Sequence, residues 1–186
     1  MIDKLTDHLT SFPKPGLEGL QGVYNIDPDD ASRIKWDSRY LDAARLYASW
    51  SKDPSTQCGA VIVRPDRGFA GKIVGEGFNG FPKRCNDGPE VYADRPLKYA
   101  RVVHAEMNAL LNAAQPLHGC TLYTWPPNVG PSCDRCSAHI IQAGITRVVF
   151  KMDNDKLKGG FSDRWGESIK RGLDMYEEAG VEVIYY

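Results

Sequence analysis

The chain has 186 residues, enough for one domain with a single sizeable hydrophobic core and some sequence left for extensions. Its 23 Lys and Arg stand against 24 Asp and Glu, a formal charge of -1 with no run of like charges. That balance argues against nucleic acid or another polyanion as a partner, while leaving room for a small phosphorylated ligand. The opening stretch MIDKLTDHLTSFPKPG lacks the apolar core of a signal peptide, and no segment reaches the roughly 18 apolar residues that span a bilayer. A cytoplasmic, soluble protein with no membrane partner is expected.

Residues 1–35 mix Pro13, Pro15, Gly16, Gly19, Gly22 and Pro28 with polar side chains. They read as an N-terminal extension, packed on the domain or on a neighbouring subunit, ahead of a domain over residues 36–186. From Trp36, WDSRYLDAARLYASW places Trp36, Tyr40, Ala43, Ala44, Tyr47 and Trp50 on one stripe, the spacing of an amphipathic helix. TQCGAVIV and GKIVGEGFNG read as the strands of a hairpin around RPDRGFA. Between Phe81 and Tyr99, Pro, Gly and charge predict a loop, and His104 to Ala114 a proline-free helix. GCTLYTW is a strand, PPNVGPS a loop, CDRCSAHIIQAG a helix closed by Gly144, and TRVVFKM a strand. After the polar segment DNDKLKGGFSD, Trp165 to Ala179 is a helix ending at Gly180, and VEVIYY is the last strand. Helices alternating with the later strands suit parallel crossovers, so the expected fold is an α/β three-layer α/β/α sandwich around a mixed five-stranded sheet.

Within this frame, VVHAEMNALLNA puts His104 and Glu106 at the start of a helix. Burying two such groups unpaired would cost about 1–3 kcal/mol each, so a partner is required. The five cysteines are odd in number, and a reducing compartment disfavours disulfides; Cys58 and Cys120 read as small core residues. Cys133 and Cys136 form a C-x-x-C pair, which reads as a metal site, a redox pair or half of a zinc knuckle, although no second C-x-x-C completes a knuckle. Two neighbouring helix starts, 29 residues apart in sequence, can converge. One imidazole and two thiolates are three zinc ligands, and a fourth position left to water marks a catalytic zinc site. The positive ends of the helices favour thiolates, and zinc lowers the pKa of its water towards 7. Glu106 then makes better sense as a proton carrier than as a fourth ligand, which would leave no nucleophile.

The pattern H-x-E followed by P-C-x-x-C is the established signature of zinc-dependent nucleobase deaminases. Here its pieces are His104-Ala105-Glu106 and Pro131-Ser132-Cys133-Asp134-Arg135-Cys136. With WDSRYLDAARLYASWSKDPSTQCGAVIV, GEGFNGFP, KYARVVHAEMNALLNA and CDRCSAHIIQAGITRVVF, most of residues 36–150 resembles the deoxycytidylate (dCMP) deaminase family. One departure stands out: the family usually places proline directly before the first cysteine, whereas Ser132 intervenes here and extra residues follow Trp125. Ligand spacing is untouched by this; the wall of the substrate pocket is not. From about Lys151 onward the likeness is weaker.

The resemblance implies a cytidine deaminase-like fold and one catalytic zinc held by His104, Cys133 and Cys136, with Glu106 carrying protons. It implies hydrolysis of dCMP to dUMP and ammonia, supplying thymidylate synthesis. Cys85 lies in a loop where some viral relatives hold a second zinc, but no cysteine stands at Asp53 or Pro54 to join it. Substrate contacts are expected from Asn79, the backbone N–H of Ala105 and Trp125, and a 5′-phosphate calls for cations among Lys52, Lys156, Lys158 and Arg164, with Arg164 and Lys52 foremost. Assembly as a homo-oligomer and feedback by dCTP and dTTP are further traits implied by the family. Two other readings stay open: a deaminase of another cytosine-type or modified nucleotide or nucleoside, or of adenosine in tRNA, against which the near-neutral charge speaks; and an inactive, zinc-stabilised binding module, in which Glu106 would have no task.

Overall fold

Central strands buried on both faces set the architecture. The structure, a computed structural model, describes residues 23–24, 31–66, 69–126, 130–152 and 165–186. Its strands are β1 (Val23–Tyr24), β2 (Gly59–Pro65), β3 (Gly71–Phe78), β4 (Thr121–Trp125), β5 (Arg147–Phe150) and β6 (Glu182–Tyr185). They form one mixed sheet in the order β1-β6-β5-β4-β2-β3, in which β2 runs antiparallel to both β3 and β4 and the remaining pairs are parallel. The five expected strands are all present, and two residues of the N-terminal segment add a short sixth at the edge. The rest of residues 1–30 lies outside the described residues.

Successive strand residues point to opposite faces. Val61, Val63, Tyr123, Val149 and Ile184 pack beneath α1 (Ala31–Ala48), while Ala60, Ile62, Leu122, Val148, Phe150 and Val183 belong to the core on the other face. That second face is covered by α4 (Ala105–Asn112), α5 (Asp134–Gln142) and α6 (Gly166–Glu178), which completes the three layers. Two glycines allow the close approach. A Cβ on Gly77 of β3 would sit 2.5 Å from both the Ala105 oxygen and the Ala109 nitrogen of α4, and a Cβ on Gly59 of β2 would collide with the backbone of Ala44 and Ala48 in α1. Among the described residues no helix is long and apolar enough to cross a membrane.

Two expectations need correcting. The helix α1 begins at Ala31, not Trp36, and the face it buries is centred on Asp37, Tyr40, Leu41, Ala44 and Ala48, leaving Trp50 54% exposed. An aspartate sits inside the stripe because its charge is matched: Asp37 accepts from both Arg147 terminal nitrogens and from the hydroxyls of Tyr123 and Tyr186. The stretch 81–99, expected to be loop, contains α2 (Pro89–Ala93) and α3 (Arg95–Arg101). Pro89 and Pro96 sit in the first turns, where a missing N–H costs nothing, and the Asp94 side chain accepts from Leu97 N as a cap.

Candidate active site

Two helices begin at one place. His104 is the residue just before α4, held there by the bridge between Val103 and Gly80, whose backbones exchange two hydrogen bonds. Cys133 stands in the same position before α5, with Cys136 in the first turn of that helix. Both helices lie on the same face of the sheet, so residues far apart in sequence meet. Both sulfurs lie 3.4 Å from His104 Nδ1, and the three ligand atoms all fall within 4.8 Å of one another. Tetrahedral zinc with Zn–S of about 2.3 Å and Zn–N of about 2.0–2.1 Å requires N···S separations of roughly 3.6 Å, so this donor set fits the metal with little movement.

The electrostatics agree with a cation site. A hydrogen bond from Cys136, and then one with His104, hold the Cys133 thiol down at about 4. Hydrogen bonding to Cys133 in turn lifts the His104 imidazole to about 9. The same Cys133 contact, with burial, pushes the Cys136 thiol up. Zinc would be held by both sulfurs as thiolates and by a neutral imidazole, so its binding would release the protons these groups carry. Glu106, in the first turn of α4, is buried, and that burial pushes its carboxyl up from the ordinary carboxylate value.

A cavity of about 390 Å³ opens onto this cluster. His104, Ala105, Glu106 and Cys133 line it, and so do Asn79 and Trp125. Asn79 is buried, with its side-chain oxygen accepting from Cys58 N at 2.7 Å and its amide donating to Thr56 O at 3.0 Å and Asp53 at 3.2 Å. Asp53 is in turn the centre of a folded loop: it accepts from the backbone of Ser55 and Thr56 and pairs with Lys98 at 2.7 Å. This gives SKDPSTQ and GFNGFP a common role, since together they build one wall of the cavity. Lys52 is not part of that wall; its exposed ammonium pairs with Asp87 at 2.6 Å, which turns it away to the surface. Arg164, Lys156 and Lys158 lie outside the described residues.

Several lining residues escaped the sequence reading. Trp165 meets the His104 ring edge-on at 6.1 Å, and Lys98 is buried in the wall. Cys58, read as a core residue, lines the cavity, and burial pushes its thiol well above the ordinary value. Ser132, the residue intervening before Cys133, is buried and hydrogen-bonded to Ser137 at 2.8 Å and to Tyr176 of α6 at 2.7 Å. A serine is accommodated there because two other hydroxyls satisfy it. Only its adjacency to Cys133 was visible in advance; the partner in α6 carried no local signal.

Comparison with known proteins agrees with this geometry. Residues 34–152 match the sequence model of the cytidine and deoxycytidylate deaminase zinc-binding region. A protein of Aliivibrio fischeri named as an uncharacterized deaminase in the luxG 3' region is 42% identical over 151 residues, covering 81% of this chain and 93% of that one. Human deoxycytidylate deaminase is 38% identical over 128 residues, 64% of this chain and 66% of its own length. Among solved structures, the dCMP deaminase of cyanophage S-TIM5, in complex with dCMP and dUMP, superposes with a TM-score of 0.57 at 24% identity, covering 87% of this chain and 99% of that one, a likeness of fold.

Proposed function

The chain belongs to the cytidine and deoxycytidylate deaminase zinc-binding family and is a zinc-dependent hydrolytic enzyme, and from that premise we propose that it deaminates dCMP, releasing dUMP and ammonia. One observation carries the reading: the His104, Cys133 and Cys136 cluster opens onto the same cavity as the buried carboxyl of Glu106. The cavity also falls within the size range of small-molecule sites. The human and mouse enzymes that share this sequence pattern are named deoxycytidylate deaminases, which supports the substrate.

Zinc, when bound by the three ligands, supplies a Lewis acid that lowers the pKa of a water towards neutrality. The chain's own groups do the rest. The Glu106 carboxylate takes a proton from the attacking water and delivers it to ring N3 as the oxygen bonds to C4. The water's second proton follows through the same carboxyl to the amino group, and the C4–N bond breaks with ammonia as leaving group. Burial raises the Glu106 carboxyl above the ordinary carboxylate value, in the direction that helps it hold a proton between the two transfers. The Ala105 N–H, at the start of α4 without an intrahelical partner, would donate to pyrimidine O2. Asn79 has both amide hydrogens engaged, so its contact with substrate is through its oxygen or through the wall it braces. Trp125 offers a ring beside the base.

The proposal includes cytoplasmic location, homo-oligomeric assembly and a response to dCTP and dTTP; the exposed Trp50, Phe78 and Leu111 support assembly. Ammonia release from dCMP, deoxycytidine, cytosine and CMP tests the central part. The expected outcome is fastest release from dCMP; release from none of them, or from cytosine alone, would refute it.

A further inference from the structure

The reading of dCMP as substrate leaves open what recognises the 5′-phosphate, and Lys52, the one cation expected from sequence that falls among the described residues, does not line the cavity. Among the described residues, five ionisable side chains of the acidic and basic types line it: Asp53, Arg95, Lys98, His104 and Glu106. His104 belongs to the metal cluster and Glu106 stands beside it. Lys98 and Asp53, 8% and 2% exposed, neutralise each other at 2.7 Å, and Asp53 is closed off further by Asn79 and by two backbone N–H groups. Arg95 is different. It is exposed, and among the described residues it makes no hydrogen bond or ion pair.

Its position is also set by the fold. Arg95, Lys98, Tyr99 and Val102 all line the cavity, and that i, i+3, i+4, i+7 spacing means one face of α3 and its continuation is turned towards it. The seven residues of α3 rise about 10 Å. His104 follows three residues after its last turn. An unmatched cation and the metal cluster therefore border the same cavity, with the rise of α3 between them along the chain. Ser55 and Thr56, from the loop around Asp53, line the same cavity and add hydroxyl groups.

We propose that Arg95 is the phosphate anchor, the residue through which this enzyme prefers a pyrimidine 5′-monophosphate to the nucleoside; the inference rests on the dCMP reading above. A guanidinium presents two parallel N–H donors to a phosphate, a geometry that lysine does not reproduce. At neutral pH the phosphate monoester carries close to two negative charges, which Lys98, already neutralised by Asp53, does not match.

The test compares the zinc-loaded wild type, Arg95→Gln and Arg95→Lys with dCMP and with deoxycytidine. The expected result is a fall of about 10- to 150-fold in the ratio of kcat/KM for dCMP to that for deoxycytidine in Arg95→Gln, carried by KM for dCMP, with a smaller fall in Arg95→Lys. A wild-type preference for dCMP that persists undiminished in Arg95→Gln overturns the anchor and leaves the substrate reading standing. A wild type that releases ammonia equally well from deoxycytidine overturns both. An equal loss on the two substrates also overturns the anchor, since it would show a structural role.

Discussion

Replacing Asp37 with alanine should destabilise the fold more than any exposed charge change. Asp37 is fully buried in α1, and its two oxygens accept from Arg147 Nη1 at 2.8 Å and Nη2 at 2.5 Å, Tyr123 OH at 2.7 Å and Tyr186 OH at 2.5 Å. One carboxylate thus ties the helix layer to β4, to β5 and to the last residue of the chain. Its removal strands the buried Tyr123 hydroxyl, worth about 1–3 kcal/mol when unpaired, and the half-buried Tyr186 hydroxyl, worth less. It also leaves the Arg147 guanidinium with Glu182, at 3.1 Å, as its remaining carboxylate. These losses overlap, because Arg147 and the tyrosines share the same oxygens, so the total expected is about 3–5 kcal/mol, the usual cost of breaking a buried pair from one side. For a chain of this size that lowers Tm by on the order of 10 °C. Thermal denaturation followed by circular dichroism measures it. The double variant Asp37→Leu/Arg147→Met should recover much of the loss, since an apolar pair has no stranded charge. A loss below about 1 kcal/mol in Asp37→Ala would refute the reasoning and rank the pair with surface ion pairs.

Two further outcomes follow from the site. Glu106→Gln should keep its zinc and lose about 10²- to 10⁴-fold in kcat, the range of general acid–base catalysis, as read by steady-state ammonia release; substantial turnover would remove the proton-carrier role. Tyr176→Phe removes the hydroxyl that meets Ser132 at 2.7 Å and should cost about 1–2 kcal/mol of stability. Because Ser132 adjoins Cys133, the same variant should surrender zinc to a chelator more readily than wild type, measured by competition; unchanged zinc affinity would show that the hydroxyl network does not position the ligand loop.

Much of this site was legible because its signals are local. A histidine and a C-x-x-C pair each fall immediately before or within the first turn of a helix, and helix starts can be read from pattern. The strands were legible for the same reason, since Ala60 to Val63 and Val148 to Phe150 are short apolar runs bounded by glycine or polar residues. What escaped depends on tertiary pairing. Asp37 carries no local sign of its buried role, because the charge that matches it, on Arg147, lies 110 residues away. The prolines at 89 and 96 were read as breakers, though they occupy first-turn positions where proline is harmless, and so the helix presenting Arg95 and Lys98 was taken for loop. Lys52 was favoured as a phosphate contact because it is a loop cation, but its pairing with Asp87 could not be read from either residue's neighbourhood.

The account depends most on one relation, that turnover of dCMP requires a single zinc at His104, Cys133 and Cys136. Metal-depleted protein titrated with zinc while dUMP formation is followed tests it directly. Activity should rise from baseline and level off at one zinc per chain, and it should not rise in Cys133→Ser. Full activity without metal, or a plateau reached by Cys133→Ser as readily as by the wild type, would contradict it.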